Sequence, residues 1–200
     1  MIPYSITKEE INELPLGQFE GDIYLIDQIQ DVEEAVDFLE DQNLIGFDTE
    51  TRPTFRKGQF NHVSLLQLST VNQAFLFRLN SIGFPDSLRN LLEKENLVKI
   101  GAAVHDDIKA LRKLTDSFHP HSFFDLNDEL KKVGFHNVGV RNLCGMVLKM
   151  RISKAEQVSN WEAEKLSEKQ MRYAATDAWA CLEIFKVLQQ EGYLDSLFNR

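Results

Sequence analysis

Residues 44–50 constrain the fold of this chain more than any other stretch, because they form an apolar run that ends in two acids. In an extended strand successive side chains point to opposite faces, so Asp48 and Glu50 share one face and Phe47 lies on the other. The two acidic α-carbons would then lie about 6.6 Å apart. Two like charges at the end of a buried strand are costly unless something positive lies between them. The run therefore predicts a strand that ends at a cation site.

The Asp-x-Glu pattern alone does not establish such a site. It recurs at Asp31 and Glu33, where it fits the start of a helix. At residues 48–50 it would also fit a strand that runs into a solvated loop. The metal hypothesis therefore needs further acids elsewhere in the chain.

The length of 200 residues suits a single domain that buries a substantial core. We predict one domain over residues 1–200, with residues 1–20 as a peripheral N-terminal arm and a core at about 21–192. No apolar run approaches the ~20 residues of a membrane span, and the start of the chain lacks a signal-peptide pattern, so we expect a cytoplasmic protein. Cys144 and Cys181 lack the spacing of a zinc site and are expected to be reduced core residues.

Hydrophobic patterning predicts an α/β fold. Apolar runs at residues 63–69 and 73–79, separated by a short turn, predict an antiparallel hairpin. A helix that begins at Pro85 leads to a strand at residues 97–102, and a crossover of this kind implies parallel pairing. The result is a mixed sheet, part antiparallel meander and part parallel, flanked by helices.

Capping patterns mark the helices. Asp31 with Glu34 predicts the start of an amphipathic helix, and residues 140–150 have a helical pattern. Ser167 and Gln170 form a capping box before a long helix that extends from residue 168 to about residue 190.

Two further acids have the right placement to join Asp48 and Glu50. On the last helix Tyr173 and Asp177 are spaced i,i+4 and so share one face, and their small neighbours would allow a close approach to the sheet. A solvated aspartate beside a core tyrosine would give the same pattern. The second acid follows the strand at residues 97–102, where Asp107 falls on the inward stripe of a helix and Asp106 does not. Either residue could instead be a favourable first-turn acid.

The net charge of −9 argues against a polyanionic partner, but the distribution of charge reverses that conclusion. Residues 51–85 and 130–155 contain no acid and together carry +10, which leaves −19 for the rest of the chain. Such windows would let a polyanion lie beside an acidic metal centre. The predicted contacts to the substrate are Arg52, Arg56, Arg151 and Lys154.

Taken together, these motifs resemble those of DEDD 3′–5′ exonucleases. Asp48-x-Glu50 on a strand, Asp107 after a strand, and Tyr173-x-x-x-Asp177 resemble the three signatures, and the tyrosine indicates the DEDDy branch. The resemblance covers about residues 20–190. Within this branch, residues 159–161 (Ser-Asn-Trp) and the glycine six residues before Asp107 are more similar to the Werner-syndrome-type exonuclease domain than to ribonuclease D.

The resemblance implies a ribonuclease-H-like fold and stepwise hydrolysis of phosphodiesters from a 3′ end. It implies two divalent ions, Mg²⁺ or Mn²⁺, about 3.5–4 Å apart, of which Asp48, Glu50 and Asp177 hold one. Asp48 would bridge to the second ion, which Asp107 would hold through water. Tyr173 would orient the attacking water. The position of Thr51 after Glu50 makes its backbone a candidate contact to the terminal nucleotide.

Three hypotheses follow. The leading one is a 3′–5′ exonuclease that acts on DNA, and the nearest alternative is an exoribonuclease of ribonuclease D type, because a few contacts decide whether a 2′-hydroxyl is accepted. The third is a catalytically silent nucleic-acid-binding module, which has no need for clustered carboxylates. We expect any targeting to particular structures to come from this domain or from a separate helicase or repair partner.

Overall fold

The computed structural model describes residues 1–55, 58 and 60–195. Within these residues the strands are β1 Asp22–Ile26, β2 Leu44–Thr51, β3 Val63–Ser69, β4 Gln73–Phe77, β5 Val98–Gly101 and β6 Phe123–Asp125. The α-helices are α1 Lys8–Glu13, α2 Val32–Glu40, α3 Leu79–Ile82, α4 Asp86–Glu93, α5 Val104–Leu111, α6 Leu126–Lys132, α7 Val140–Leu143 and α8 Glu168–Gln190. None of the described helices combines the length and apolar composition needed to cross a bilayer.

The strands form one mixed sheet in the order β1-β4-β3-β2-β5-β6. Strand β3 pairs antiparallel with β2 and with β4, and a short turn joins β3 to β4 as the sequence predicted. Helix α4 carries the chain back across the sheet before β5, which pairs parallel to β2, and α5 is the crossover between β5 and the parallel strand β6. The predicted α/β fold with a mixed sheet is confirmed.

Helices cover both faces of this sheet. On one face α2, α4 and α5 bury their leucines and valines against Ile45, Phe47 and Leu66. On the other face α8 crosses β1 to β5 and packs alanines against Leu65 and Leu76. The end of β2 is therefore enclosed between α8 and α5, the two helices that carry the other predicted acids.

Three local predictions differ from the structure. Asp31 makes no capping bond through its side chain, because its backbone is already helical and continues a 3-10 turn at Ile29–Asp31. The strand predicted at residues 73–79 ends at Phe77, where the buried Arg78 turns towards the carbonyls of Ala163 and Glu164.

The third difference lies in the helix predicted at residues 140–150. It is α-helical only to Leu143 and continues as a π-helix at Cys144–Leu148. The left-handed backbone of Lys149 then ends it. Both cysteines are buried free thiols.

The segment before β1 packs closely against the domain. Its helix α1 begins at a capping box in which Thr7 and Glu10 bond each other's backbone N–H groups. Ile11 is 2% exposed and Phe19 is 1% exposed, so the segment contributes to the core. The predicted domain limits stay a prediction.

Candidate active site

Strand β2 presents Asp48 and Glu50 near its carboxyl end, where the strand emerges from the core. Asp48 lies opposite Gln67 and Glu50 opposite Leu65 in the antiparallel ladder with β3. The ladder shifts register between Glu50 and Thr51. Such a bulge locally bends a strand, and β2 ends one residue after the second acid, at Thr51.

The close approach of α8 to β2 depends on small residues. A Cβ at Gly46 would lie 1.9 Å from the carbonyl oxygen of Ala178, so the helix backbone rests on a position that only glycine can fill. Ala174, Ala175 and Ala178 on the helix are fully buried. This packing brings Asp177, the neighbour of Ala178, to the end of β2.

Asp48, Glu50 and Asp177 form a cluster of carboxylates. Each offers one oxygen, and these oxygens lie within 4.8 Å of one another. Hard divalent cations bind carboxylate oxygens at about 2.0–2.6 Å, so one ion could reach all three. The donor set therefore fits Mg²⁺ or Mn²⁺ and lacks the nitrogen and sulfur ligands typical of a structural zinc site.

The electrostatics of the cluster lead to the same conclusion. Burial and then the charges of Asp177 and Asp107 raise the pKa of Glu50 to about 9. Burial raises the pKa of Asp177 to about 7, although a hydrogen bond from Tyr173 opposes part of that rise. Burial and three neighbouring acids raise the pKa of Asp48 well above its usual range. A bound cation would relieve this repulsion and restore the ionised forms.

Tyr173 lies one helical turn before Asp177, beside the cluster. Burial and the charges of Asp177 and Glu50 raise the pKa of its hydroxyl above the usual value. The ring contacts that of the fully buried Trp161, with the ring centres 6.0 Å apart. The hydroxyl is thus held as a neutral hydrogen-bonding group at the edge of the site.

Asp107 lies beside the three-carboxylate cluster and outside it. The hydroxyl of Thr49, on the opposite face of β2 from Asp48, donates a hydrogen bond to Asp107. Burial nevertheless raises the Asp107 pKa to about 6. Asp106 is exposed, so Asp107 is the inward acid of the pair, as its helical position predicted.

The predicted basic residues are dispersed. Arg52 forms an ion pair with Glu162, at 3.0 Å between the charged atoms. The Nε of Arg151 donates to the Leu14 carbonyl at 3.0 Å. Lys154 lines the cavity of about 690 Å³ that contains the three acids. Arg56 lies outside the described residues, and Thr51 is the last residue of β2, directly after Glu50. The roles of all these residues remain predictions.

Sequence reasoning missed three residues near the acids. Lys8 and Arg141 line the same cavity. Gln67 lies opposite Asp48 and is fully buried, and neither polar atom of its side chain has a hydrogen-bond partner among the described residues. A glutamine within an otherwise apolar strand could have signalled the last of these, whereas the two basic residues needed the tertiary structure.

Comparisons with known proteins connect this geometry to a family. A family model described as 3′–5′ exonuclease matches residues 23–192. The mouse bifunctional 3′–5′ exonuclease/ATP-dependent helicase WRN is 30% identical over 200 residues, covering 94% of this chain and 14% of that protein. Ribonuclease D from Gluconacetobacter diazotrophicus is 27% identical over 180 residues, covering 87% of this chain and 45% of that protein.

A solved structure shows the same fold. The crystal structure of the Aedes aegypti Nibbler EXO domain superposes with a TM-score of 0.80 at 24% identity, covering 90% of this chain and 94% of that one. By contrast, the chain spans less than half the length of either of the two sequence relatives.

Proposed function

This chain belongs to the 3′–5′ exonuclease family, and from that premise we propose that it hydrolyses DNA from the 3′ end, releasing nucleoside monophosphates one at a time. The observation that supports this proposal most strongly is the convergence of Asp48, Glu50 and Asp177, with Tyr173 beside them, in one open cavity. The choice of DNA rests on residues 159–161 and the glycine before Asp107, which resemble the Werner-syndrome-type exonuclease domain more than ribonuclease D.

We propose that Asp48, Glu50 and Asp177 hold one divalent cation, Mg²⁺ or Mn²⁺, and that Asp107 helps Asp48 to hold a second. When bound, such ions lower the pKa of water and stabilise the attacking and leaving oxygens of a phosphodiester. The carboxylates position these charges, and the hydrogen bond from Thr49 fixes the orientation of Asp107.

The proposed role of Tyr173 follows from its protonation state. Its pKa is raised, so the hydroxyl keeps its proton at neutral pH and is a poor general base. It can instead orient a water molecule by hydrogen bonding. Thr51, Arg52, Arg151 and Lys154 are proposed to contact the substrate strand, together with Arg56.

A ribonuclease activity is the second candidate, supported by the similarity to ribonuclease D. The choice between the two polymers depends on whether the site accepts a 2′-hydroxyl at the terminal nucleotide. A silent binding module is disfavoured, because buried carboxylates near a polyanion weaken binding unless they hold cations.

The test uses DNA and RNA strands of matched sequence, labelled at the 5′ end and incubated with Mg²⁺ or Mn²⁺. We expect stepwise shortening of the DNA, with loss of activity in EDTA and in Asp48→Asn. Nicking of a closed circle, or full activity in EDTA, would contradict an exonuclease of this type. Faster shortening of the RNA would overturn only the assignment of DNA as substrate.

A further inference from the structure

The N-terminal segment forms one wall of the cavity that holds the catalytic acids. Ile6, Lys8 and Ile11 from this segment line it, and Asp48 and Asp177 lie in the same cavity. The start of α1 therefore lies beside the predicted cation site, although residues 1–20 were predicted to be peripheral.

Specific contacts hold this wall in place. The guanidinium of Arg141 donates to the side-chain oxygen of Asn12 at 3.0 Å, and Arg151 donates to the Leu14 carbonyl at 3.0 Å. A Cβ at Gly145 in the π-helix would lie 3.0 to 3.3 Å from side-chain atoms of the segment, so the two elements are in tight contact. The position of Lys8 relative to the acids is thus set by the fold.

This side of the cavity carries two basic side chains, Lys8 on the N-terminal segment and Arg141 on α7. Lys8 makes no ion pair with any described residue, and neither does Arg141. The buried Nε of Arg141 also lacks a hydrogen-bond partner among those residues. The Arg141 guanidinium has further N–H donors besides the one that binds Asn12, and a guanidinium is well suited to bind phosphate oxygens.

We propose that Lys8 and Arg141 form a phosphate clamp for a single nucleic-acid strand entering the active site. This inference rests on the proposed function, because it assumes that the strand end lies at the carboxylates. A cavity of about 690 Å³ has the size of a small-molecule site, so it suits unpaired nucleotides. Lys8 and Arg141 on one side of the cavity would hold the phosphate backbone of the strand, while the acids on the other side bind the metal ions.

The test measures how binding depends on salt. A thymidine homopolymer with phosphorothioate linkages at its 3′ end serves as the probe, and its affinity is measured by fluorescence anisotropy over a range of KCl concentrations. For a single strand each lost phosphate contact lowers the slope of log K against log salt by about 0.7. We expect that loss in Lys8→Gln and in Arg141→Gln, and about twice that loss in the double variant.

Two control variants separate charge at the cavity from charge elsewhere on the surface. Arg112→Gln makes the same charge change as Arg141→Gln, at an exposed residue after α5 that does not line the cavity, so its salt slope should match the wild type. Lys131→Gln makes the same charge change as Lys8→Gln, on α6 away from the cavity lining, and should also match. Thermal unfolding of each variant checks that it is folded.

The outcomes distinguish this proposal from the proposed function. Unchanged slopes in both Lys8→Gln and Arg141→Gln would overturn the clamp, and so would an equal loss in either control. A wild-type protein that binds this probe with the expected slopes but never shortens an unmodified strand of the same sequence would overturn the proposed function and leave the clamp standing.

Discussion

Asp106 and Asp107 are adjacent in sequence and have different environments. Asp107 is partly buried and accepts a hydrogen bond from Thr49, and its charge raises the pKa values of Asp48 and Glu50. Asp106 is exposed. The amphipathic spacing of α5 predicted this difference, because Asp107 shares a stripe with the buried Leu111.

We therefore expect Asp107→Asn to lose most turnover and Asp106→Asn to keep most of it. The first substitution removes a charge beside the three clustered acids, while the second alters a solvated side chain. Steady-state rates on the labelled DNA strand provide the measurement. If Asp106→Asn is the inactive variant, the assignment of the inward acid is wrong.

Tyr173→Phe removes one hydroxyl and leaves the ring packed beside Trp161. If the hydroxyl positions water, the rate should fall by about 10²–10⁴-fold, as is typical for one group that handles or positions a proton. Thermal stabilisation by Mn²⁺ should persist, because the carboxylates are intact. Tyr24→Phe on β1 is the matched control, and a rate that falls equally in both variants would refute a specific role for Tyr173.

Lys99 is a fully buried lysine whose ammonium group donates to the carbonyls of Lys94 and Leu97 at 2.8 and 2.7 Å. Burial lowers its pKa to about 8, below the ordinary value near 10.4. Between these pH values the unfolded chain binds the proton and the folded chain does not, so the Lys99 contribution to stability rises with pH.

The measurement for Lys99 compares urea unfolding of the wild type and Lys99→Met from about pH 8 to about pH 10. The free energy of unfolding of the wild type should rise relative to that of the variant over this range. Because other groups titrate in both proteins, only the difference is informative. A difference that does not change with pH would mean that Lys99 keeps an ordinary pKa.

Among the elements, the contact between β2 and α8 determines the geometry of the site. We expect Gly46→Ala to destabilise the protein by about 1–3 kcal/mol or more, because the new methyl group would meet the Ala178 backbone. Activity should fall as well, since Asp177 would move away from Asp48. Gly139→Ala, where a Cβ meets nothing within 4 Å, should change stability by less than about 1 kcal/mol. Equal unfolding midpoints for the two variants would contradict this account.

Much of the element pattern could be predicted from sequence, because alternation and capping are local properties. The Ser167 capping box and the β3–β4 hairpin are both confirmed. The π-helix at Cys144–Leu148 could not be predicted in this way, since it lies where the N-terminal segment packs on Gly145. The same long-range contact places Lys8 and Arg141 beside the acids. Local sequence patterns therefore did not predict that these two residues line the site.

At the scale of the whole molecule, part of the excess negative charge lies in the buried cluster of acids, where repulsion lowers the stability of the fold. Asp48, Glu50 and Asp177 repel one another in a buried site, and the fold maintains this arrangement through apolar packing on both faces of the sheet. A ligand that binds only the folded state raises stability by RT ln(1 + [L]/Kd), which is about 2.7 kcal/mol at a concentration of 100 times Kd.

Mn²⁺ should therefore raise the unfolding temperature of the wild type at neutral pH, and EDTA should reverse the increase. Asp177→Asn removes one charge from the cluster, so without metal it should unfold at a higher temperature than the wild type, and added Mn²⁺ should raise that temperature much less. Asp106→Asn should respond to Mn²⁺ as the wild type does, because its side chain is exposed beside the site. An equal rise in Asp177→Asn and the wild type would show that Mn²⁺ binds elsewhere, and the three carboxylates would then not be its site.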